Sequence, residues 1–230
     1  MASLAVVDRL QHEVSIRSCH VTLHGTLVLP DAASGVVVFA HGTGSGRRSP
    51  RNRVVAEVLA KAGLGALLID LLTAAEESEE LESGERRFDV SLLARRLLDG
   101  CDWLGDDART RDLGIGLFGA STGAAATLYA AEARPKQIRA IVSRGGRPDL
   151  AEDVVPHVKA PTLMIVGGDD RAVVEANRRA MRMLRTRKRL ETVAGASHLF
   201  EEPGALERVA ELARDWFLAH LRPPPRVGGR

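Results

Sequence analysis

The chain opens with two alternating stretches, Glu13–Arg17 and Val21–Leu29, in which polar and apolar residues take turns. A period of two marks a strand with one buried face, so these stretches read as a half-exposed antiparallel pair. The pattern then changes. Val36–Ala40 (VVVFA), Ala66–Ile69 (ALLI), Leu113–Phe118 (LGIGLF), Ile138–Val142 (IRAIV) and Thr162–Val166 (TLMIV) are short apolar runs. Such runs suit strands covered on both faces of a parallel sheet. A last strand is predicted near Arg189–Val193. Between the runs lie segments of helical period: Val54–Ala62, Val90–Leu104, Gly123–Ala133, Val173–Leu184 and Ala205–Leu221. Strands alternating with helices imply right-handed crossovers and a sheet covered on both sides.

With 230 residues, 45% of them hydrophobic, the chain can build a full core, and one domain over residues 1–221 is expected. Residues 222–230 (RPPPRVGGR) read as a flexible tail. The 32 basic residues nearly balance 30 acidic ones, a net charge of +2, which excludes disorder as the main state and argues against a nucleic-acid binder. Aromatic residues make up only 3%, too few for a base-stacking platform. Cys19 and Cys101 lie far apart without metal-ligand spacing, so neither a disulfide framework nor a metal site is expected. The first residues lack the basic start and apolar run of a signal peptide, and no stretch approaches the ~18 apolar residues of a membrane span. A cytoplasmic protein without membrane contact, monomeric or homodimeric, is expected.

The chemistry concentrates in a few loops. Gly119-Ala120-Ser121-Thr122-Gly123 follows an apolar strand and precedes an Ala-rich helix, the strand–turn–helix setting of a G-x-S-x-G nucleophile elbow. The bland alternative is a serine that caps a helix. A serine nucleophile needs a base, and the base an orienting acid, in the chain order Ser, acid, His. His198, in the small-residue loop GASHLF after the last strand, is the candidate base; His157 and His220 sit before a strand and at a helix end. Gly167-Gly168-Asp169-Asp170 follows the Thr162–Val166 strand and offers two acids, of which Asp170 is preferred for its place three residues before Val173. An oxyanion hole needs two backbone N–H groups. Thr122 is expected to supply one, and Thr43 in the loop His41-Gly42-Thr43-Gly44-Ser45-Gly46 the other. That glycine-rich loop lacks the lysine of a phosphate-binding P-loop. His41 reads as a structural hydrogen-bonding residue.

The set HGTGSG, GFGASTG, IVGGDDRAVV and GASHLFEEPG, in this order, resembles the α/β-hydrolase superfamily from about Val21 to Leu221. The short length, without room for a large cap, is similar to the dienelactone hydrolase-like branch. The resemblance implies an α/β-hydrolase fold: a mostly parallel central sheet, an antiparallel N-terminal strand pair and helices on both faces. The family's acid and histidine motifs land on Asp170 and His198. Dienelactone hydrolase itself uses a Cys nucleophile; Ser121 stands here instead and points to ordinary ester hydrolysis.

Other charges cluster near the carboxyl edge of the sheet, where open parallel sheets bind ligands. Arg47, Arg144 and Arg147 are candidates to hold an anionic substrate group, with Arg48, Arg51 and Arg53 beside them. The acidic run from Glu76 to Glu85 reads as a solvated loop, and Arg178–Arg189 as a solvated helix face. The expected function is a serine hydrolase cleaving small carboxylic esters, or thioesters and lactones, through an acyl-enzyme, with no cofactor. The alternative is a non-catalytic binding module on the same fold.

Overall fold

A computed structural model describes residues 11–42, 45–83 and 89–221. Its strands are β1 (Gln11–Ser18), β2 (Val21–Val28), β3 (Val36–Ala40), β4 (Gly65–Ile69), β5 (Ile115–Ala120), β6 (Ile138–Arg144), β7 (Thr162–Gly167) and β8 (Lys188–Val193). The helices among these residues are α1 (Pro50–Lys61), α2 (Ala74–Ser83), α3 (Val90–Asp106), α4 (Thr122–Ala133), α5 (Arg171–Met183) and α6 (Ala205–Leu221). All eight strands share one sheet in the order β1-β2-β4-β3-β5-β6-β7-β8. Only β2 runs against the others, pairing antiparallel with β1 and β4. The α/β-hydrolase architecture expected above, with its antiparallel N-terminal pair, is the one observed.

The apolar runs are strands because each can be covered twice. Val36–Ala40 and Ile115–Ala120 are buried at every position. On one face Phe39, Phe118, Val142 and Ile165 pack beneath α1 and α6, through Val55, Leu59, Val209 and Phe217. The Phe39 and Phe118 rings meet with centroids 4.9 Å apart. On the other face Val38, Leu117, Ile141 and Met164 pack beneath α3 and α4, through Leu93, Leu97, Ala125 and Leu128. The chain leaves β3 toward β4 and returns on the other side to β5. The crevice where strand order reverses therefore opens at the carboxyl ends of β3 and β5, the place where such sheets bind ligands.

Three local expectations need correction. Helix α1 starts at Pro50, ahead of Val54, because proline's fixed φ suits a first helical turn. The acidic run is not a solvated loop: Ala74–Ser83 is helical. Thr73 and Glu76 form a capping box, the Thr73 N–H donating to Glu76 Oε2 at 2.8 Å and the Glu76 N–H to Thr73 Oγ1 at 3.3 Å. Arg96 of α3 forks onto both Glu76 oxygens at 2.7 Å and holds that carboxyl down to about 2. Glu85 lies outside the described residues. The basic stretch is helical only as far as Met183. There Lys188 turns back to donate to the Met181 and Leu184 carbonyls, both at 2.6 Å, and β8 begins. The segment 222–230, expected as a tail, also lies outside the described residues. No helix among the described residues is long and apolar enough to cross a membrane.

Candidate active site

Ser121 sits between the last residue of β5 and the first of α4, at φ 52° and ψ −120°. A side chain rarely adopts that conformation, and it persists only where the surroundings over-determine it. Here they do. The Ser121 N–H donates to the Arg144 carbonyl at 3.2 Å, while its own carbonyl accepts from Ala124 at 3.1 Å and Arg147 at 3.2 Å. Gly123 lets α4 press onto β3: a Cβ there would lie 2.3 Å from the Ala40 carbonyl oxygen. The Ser121 side chain makes no capping hydrogen bond, so its hydroxyl is not consumed by the helix it precedes.

Asp170 stands at the N-cap of α5 and does two things. Its Oδ1 accepts from the Val173 N–H at 3.3 Å, and its Oδ2 lies 2.8 Å from His198 Nδ1. With Nδ1–H donating to a carboxylate, Nε2 is the nitrogen left to act as a base. Asp169 is exposed, and its N–H donates to the Ala196 carbonyl at 3.0 Å. The loop bearing His198 crosses so close above the end of β7 that a Cβ on Gly167 would lie 2.4 Å from the Ser197 carbonyl oxygen. The His198 ring rests against Gly145, one residue beyond Arg144, which pairs in register with Ala120. Ser121, Asp170 and His198 thus converge on one edge of the sheet. His157 lies elsewhere, exposed at the end of a 3-10 turn, and His220 stacks on Trp216 with centroids 4.4 Å apart.

The loop after β3 is clamped at both ends by the residues after β4. The Leu71 N–H donates to His41 Nε2 at 2.9 Å, and His41 Nδ1 lies 3.0 Å from the Gly42 carbonyl, so the ring is neutral with its proton on Nδ1. Asp70 accepts from the Arg47 backbone N–H at 2.7 Å and from Arg47 Nε at 2.9 Å. Asp70 was not singled out in the sequence; a lone Asp ending an apolar run was the available sign. Thr43 lies outside the described residues. Thr122, at the first position of α4, carries an N–H without an intrahelical acceptor. A cavity of about 590 Å³ borders both loops, its walls including Gly42 and Thr122, apolar Leu23, Leu72 and Leu93, and the carboxylates of Asp70 and Glu77. Burial, then the charge of Asp70, pushes the Glu77 carboxyl up.

His41 makes the clamp sensitive to acid. Burial holds its pKa below the ordinary 6.5, so as pH falls past that value the unfolded chain takes up a proton that the folded chain refuses. The stabilisation from neutral His41 is complete above 6.5 and declines below it. In thermal unfolding followed from neutral toward mildly acidic pH, His41→Asn is expected to flatten the fall in Tm relative to the parent.

The three arginines proposed to face a substrate differ in their surroundings. Arg47 already holds Asp70, and Glu13 at 3.1 Å. Arg147 forks onto Asp149 at 2.7–3.1 Å. Arg144 is buried and its Nη1 has no hydrogen-bond partner.

The profile of the dienelactone hydrolase family matches residues 23–220. The chain belongs to that family. The crystal structure of a dienelactone hydrolase from Anabaena variabilis shares 56% identity and a TM-score of 0.90, over 92% of this chain and 98% of that one. A more distant likeness, at 17% identity and a TM-score of 0.77, is to Est1E from Butyrivibrio proteoclasticus, covering 90% of this chain and 98% of that one. That match speaks to the fold alone. Among curated proteins, one from Mycobacterium tuberculosis, provisionally named a phosphoribosyl transferase, is 52% identical over 216 residues, 94% of this chain. The chain spans about half the length of that relative, 48%. Family membership makes this a hydrolase-family protein with the fold described. Among the described residues no group of three or more His, Cys, Asp or Glu side chains is arranged to hold a metal ion.

Proposed function

We propose that the protein is a serine hydrolase of small carboxylic esters, with thioesters and lactones as equivalent acyl donors. The observation that carries this reading is the 2.8 Å His198–Asp170 contact at the sheet edge where Ser121 is held in a strained turn. In this mechanism His198 Nε2 takes the Ser121 hydroxyl proton as the oxygen attacks the ester carbonyl. Charge develops on the carbonyl oxygen, and the N–H groups of Thr122 and of the loop after β3, assigned to Thr43, stabilise it. Collapse expels the alcohol, which leaves with the proton from His198. Water then enters by the same route, and the acid is released. Asp170 keeps the imidazole in the required tautomer and stabilises it when charged. The acyl or alcohol portion occupies the cavity beside Gly42 and Thr122.

The transferase name of the mycobacterial relatives belongs to proteins about twice this length. Ester hydrolysis is the reading favoured by Ser121, Asp170 and His198. Rapid mixing with excess 4-nitrophenyl valerate tests it. An initial burst of nitrophenol, stoichiometric with enzyme, is expected if acylation precedes slower deacylation. Neither burst nor turnover across a panel of short-chain esters would leave a non-catalytic binding module as the better reading.

A further inference from the structure

The 590 Å³ cavity carries a polarity pattern that ester cleavage by itself does not use. Its reacting end is set by contact: a Cβ on Gly42 would lie 3.0 Å from Ser121 Cβ. Thr122 borders the same end, is 5% exposed, and its hydroxyl has no hydrogen-bond partner among the described residues. Leu23, Leu72 and Leu93 give the cavity an apolar wall, which two carboxylates, Asp70 and Glu77, interrupt. The two are not equivalent. Asp70 commits one oxygen to the Arg47 N–H and the other to Arg47 Nε. Glu77 enters the cavity from the first turn of α2, where it is exposed. Its carboxylate makes no hydrogen bond or ion pair among the described residues, and the one charge that bears on it is the like charge of Asp70. The space in front of it is kept open by Gly46, where a Cβ would lie 2.6 Å from Asp70 Oδ1 and 4.0 Å from Glu77 Oε1.

A few polar groups in an otherwise apolar pocket fix the orientation and identity of what binds there. An ionised carboxylate only accepts hydrogen bonds, so its ligand must carry a donor. Arg47 and Arg48 line the same cavity, so a cation entering it meets like charge, whereas a neutral hydroxyl does not. His198 must hand its proton to the departing alcohol, and it is not among the residues bordering this cavity. The alcohol therefore leaves on the His198 side, and the cavity takes the acyl portion. We propose that Glu77 is a specificity-determining residue that accepts a hydrogen bond from a hydroxyl at the far end of the acyl chain, so that esters of hydroxy acids are the preferred substrates. The proposal rests on the serine hydrolase reading and names the class of substrate that site selects. The ester oxygens lie at Thr122, the methylenes run along Leu72 and Leu93, and the terminal hydroxyl donates to Glu77.

The test compares substrates of matched shape, 4-nitrophenyl 6-hydroxyhexanoate and 4-nitrophenyl heptanoate, in which a hydroxyl replaces a methyl group. The 8-hydroxyoctanoate and nonanoate pair extends the reach, and 4-nitrophenyl 6-aminohexanoate is the cationic arm. In the better-fitting pair the hydroxy ester is expected to exceed its alkyl twin in kcat/KM by about 10-fold, the lower end for a hydrogen bond to a charged group because Glu77 is exposed. Glu77→Leu should bring that ratio to about one. Glu77→Gln keeps an acceptor oxygen without the charge, so it should retain part of the ratio, and it serves if the leucine variant misfolds. A merely structural glutamate would instead slow both esters alike and leave the ratio unchanged. Titration with 6-hydroxyhexanamide and heptanamide, followed by NMR, reads the cavity without turnover. Tighter binding of the hydroxyamide, lost in Glu77→Leu, supports the proposal even if no ester is cleaved, a result that would count against the hydrolase reading alone. No preference for the hydroxyl in turnover or binding, a preference unchanged in both variants, or an amino ester that outruns the hydroxy ester overturns the proposal.

Discussion

Ser121→Ala is expected to lower ester turnover by about 10⁶-fold, the usual loss when a serine nucleophile is removed. The fold should be untouched, since alanine meets the same backbone strain at φ 52° and the side chain makes no capping bond. Ser121→Gly separates function from stability still further. Glycine adopts a positive φ without cost, so this variant should be equally inactive yet more stable by about 1 kcal/mol. Urea unfolding beside turnover measures both. Loss of stability in both variants, with activity kept within tenfold, would mean that the strained turn serves packing rather than chemistry.

The second large effect distinguishes two neighbouring acids. Asp170→Asn is expected to cut turnover by about 10⁴-fold, because an amide facing Nδ1 lets the imidazole settle in the wrong tautomer. Asp169→Asn should change turnover little, since Asp169 is exposed and the contact to His198 belongs to Asp170. Asp170→Asn should also cost little stability, because asparagine caps a helix about as well as aspartate. A large loss at position 169 with none at 170 would misplace the acid by one residue.

Why Asp170 and not its neighbour was legible follows from local chain geometry. The apolar run Thr162–Val166 ends in two glycines, and the second Asp falls where a helix cap must stand, three residues before Val173. The elbow was legible for the same reason: its strand, turn and helix are contiguous, and glycines flank the serine. Helix α2 was hidden because six acidic residues between positions 76 and 85 suggest repulsion and exposure. The capping signal Thr73-x-x-Glu76 was present, but the decisive partner, Arg96, lies 20 residues away. Long-range pairing also decides the fate of the arginines. Arg47 meets Asp70 across 23 residues and Arg51 meets Glu201 across 150, separations that no periodicity encodes. From sequence alone the candidate arginines look alike, and only burial singles out Arg144. The 590 Å³ cavity is likewise a product of packing between loops distant in the chain.

If Ser121 is a nucleophile activated by His198, a fluorophosphonate should react with it, and mass spectrometry of the digested chain locates the adduct. One phosphonyl group per chain is expected, on the peptide bearing Ser121, and His198→Ala should slow its formation by orders of magnitude. A label on another residue, or an unlabelled Ser121 in protein that still hydrolyses esters, would contradict the claim.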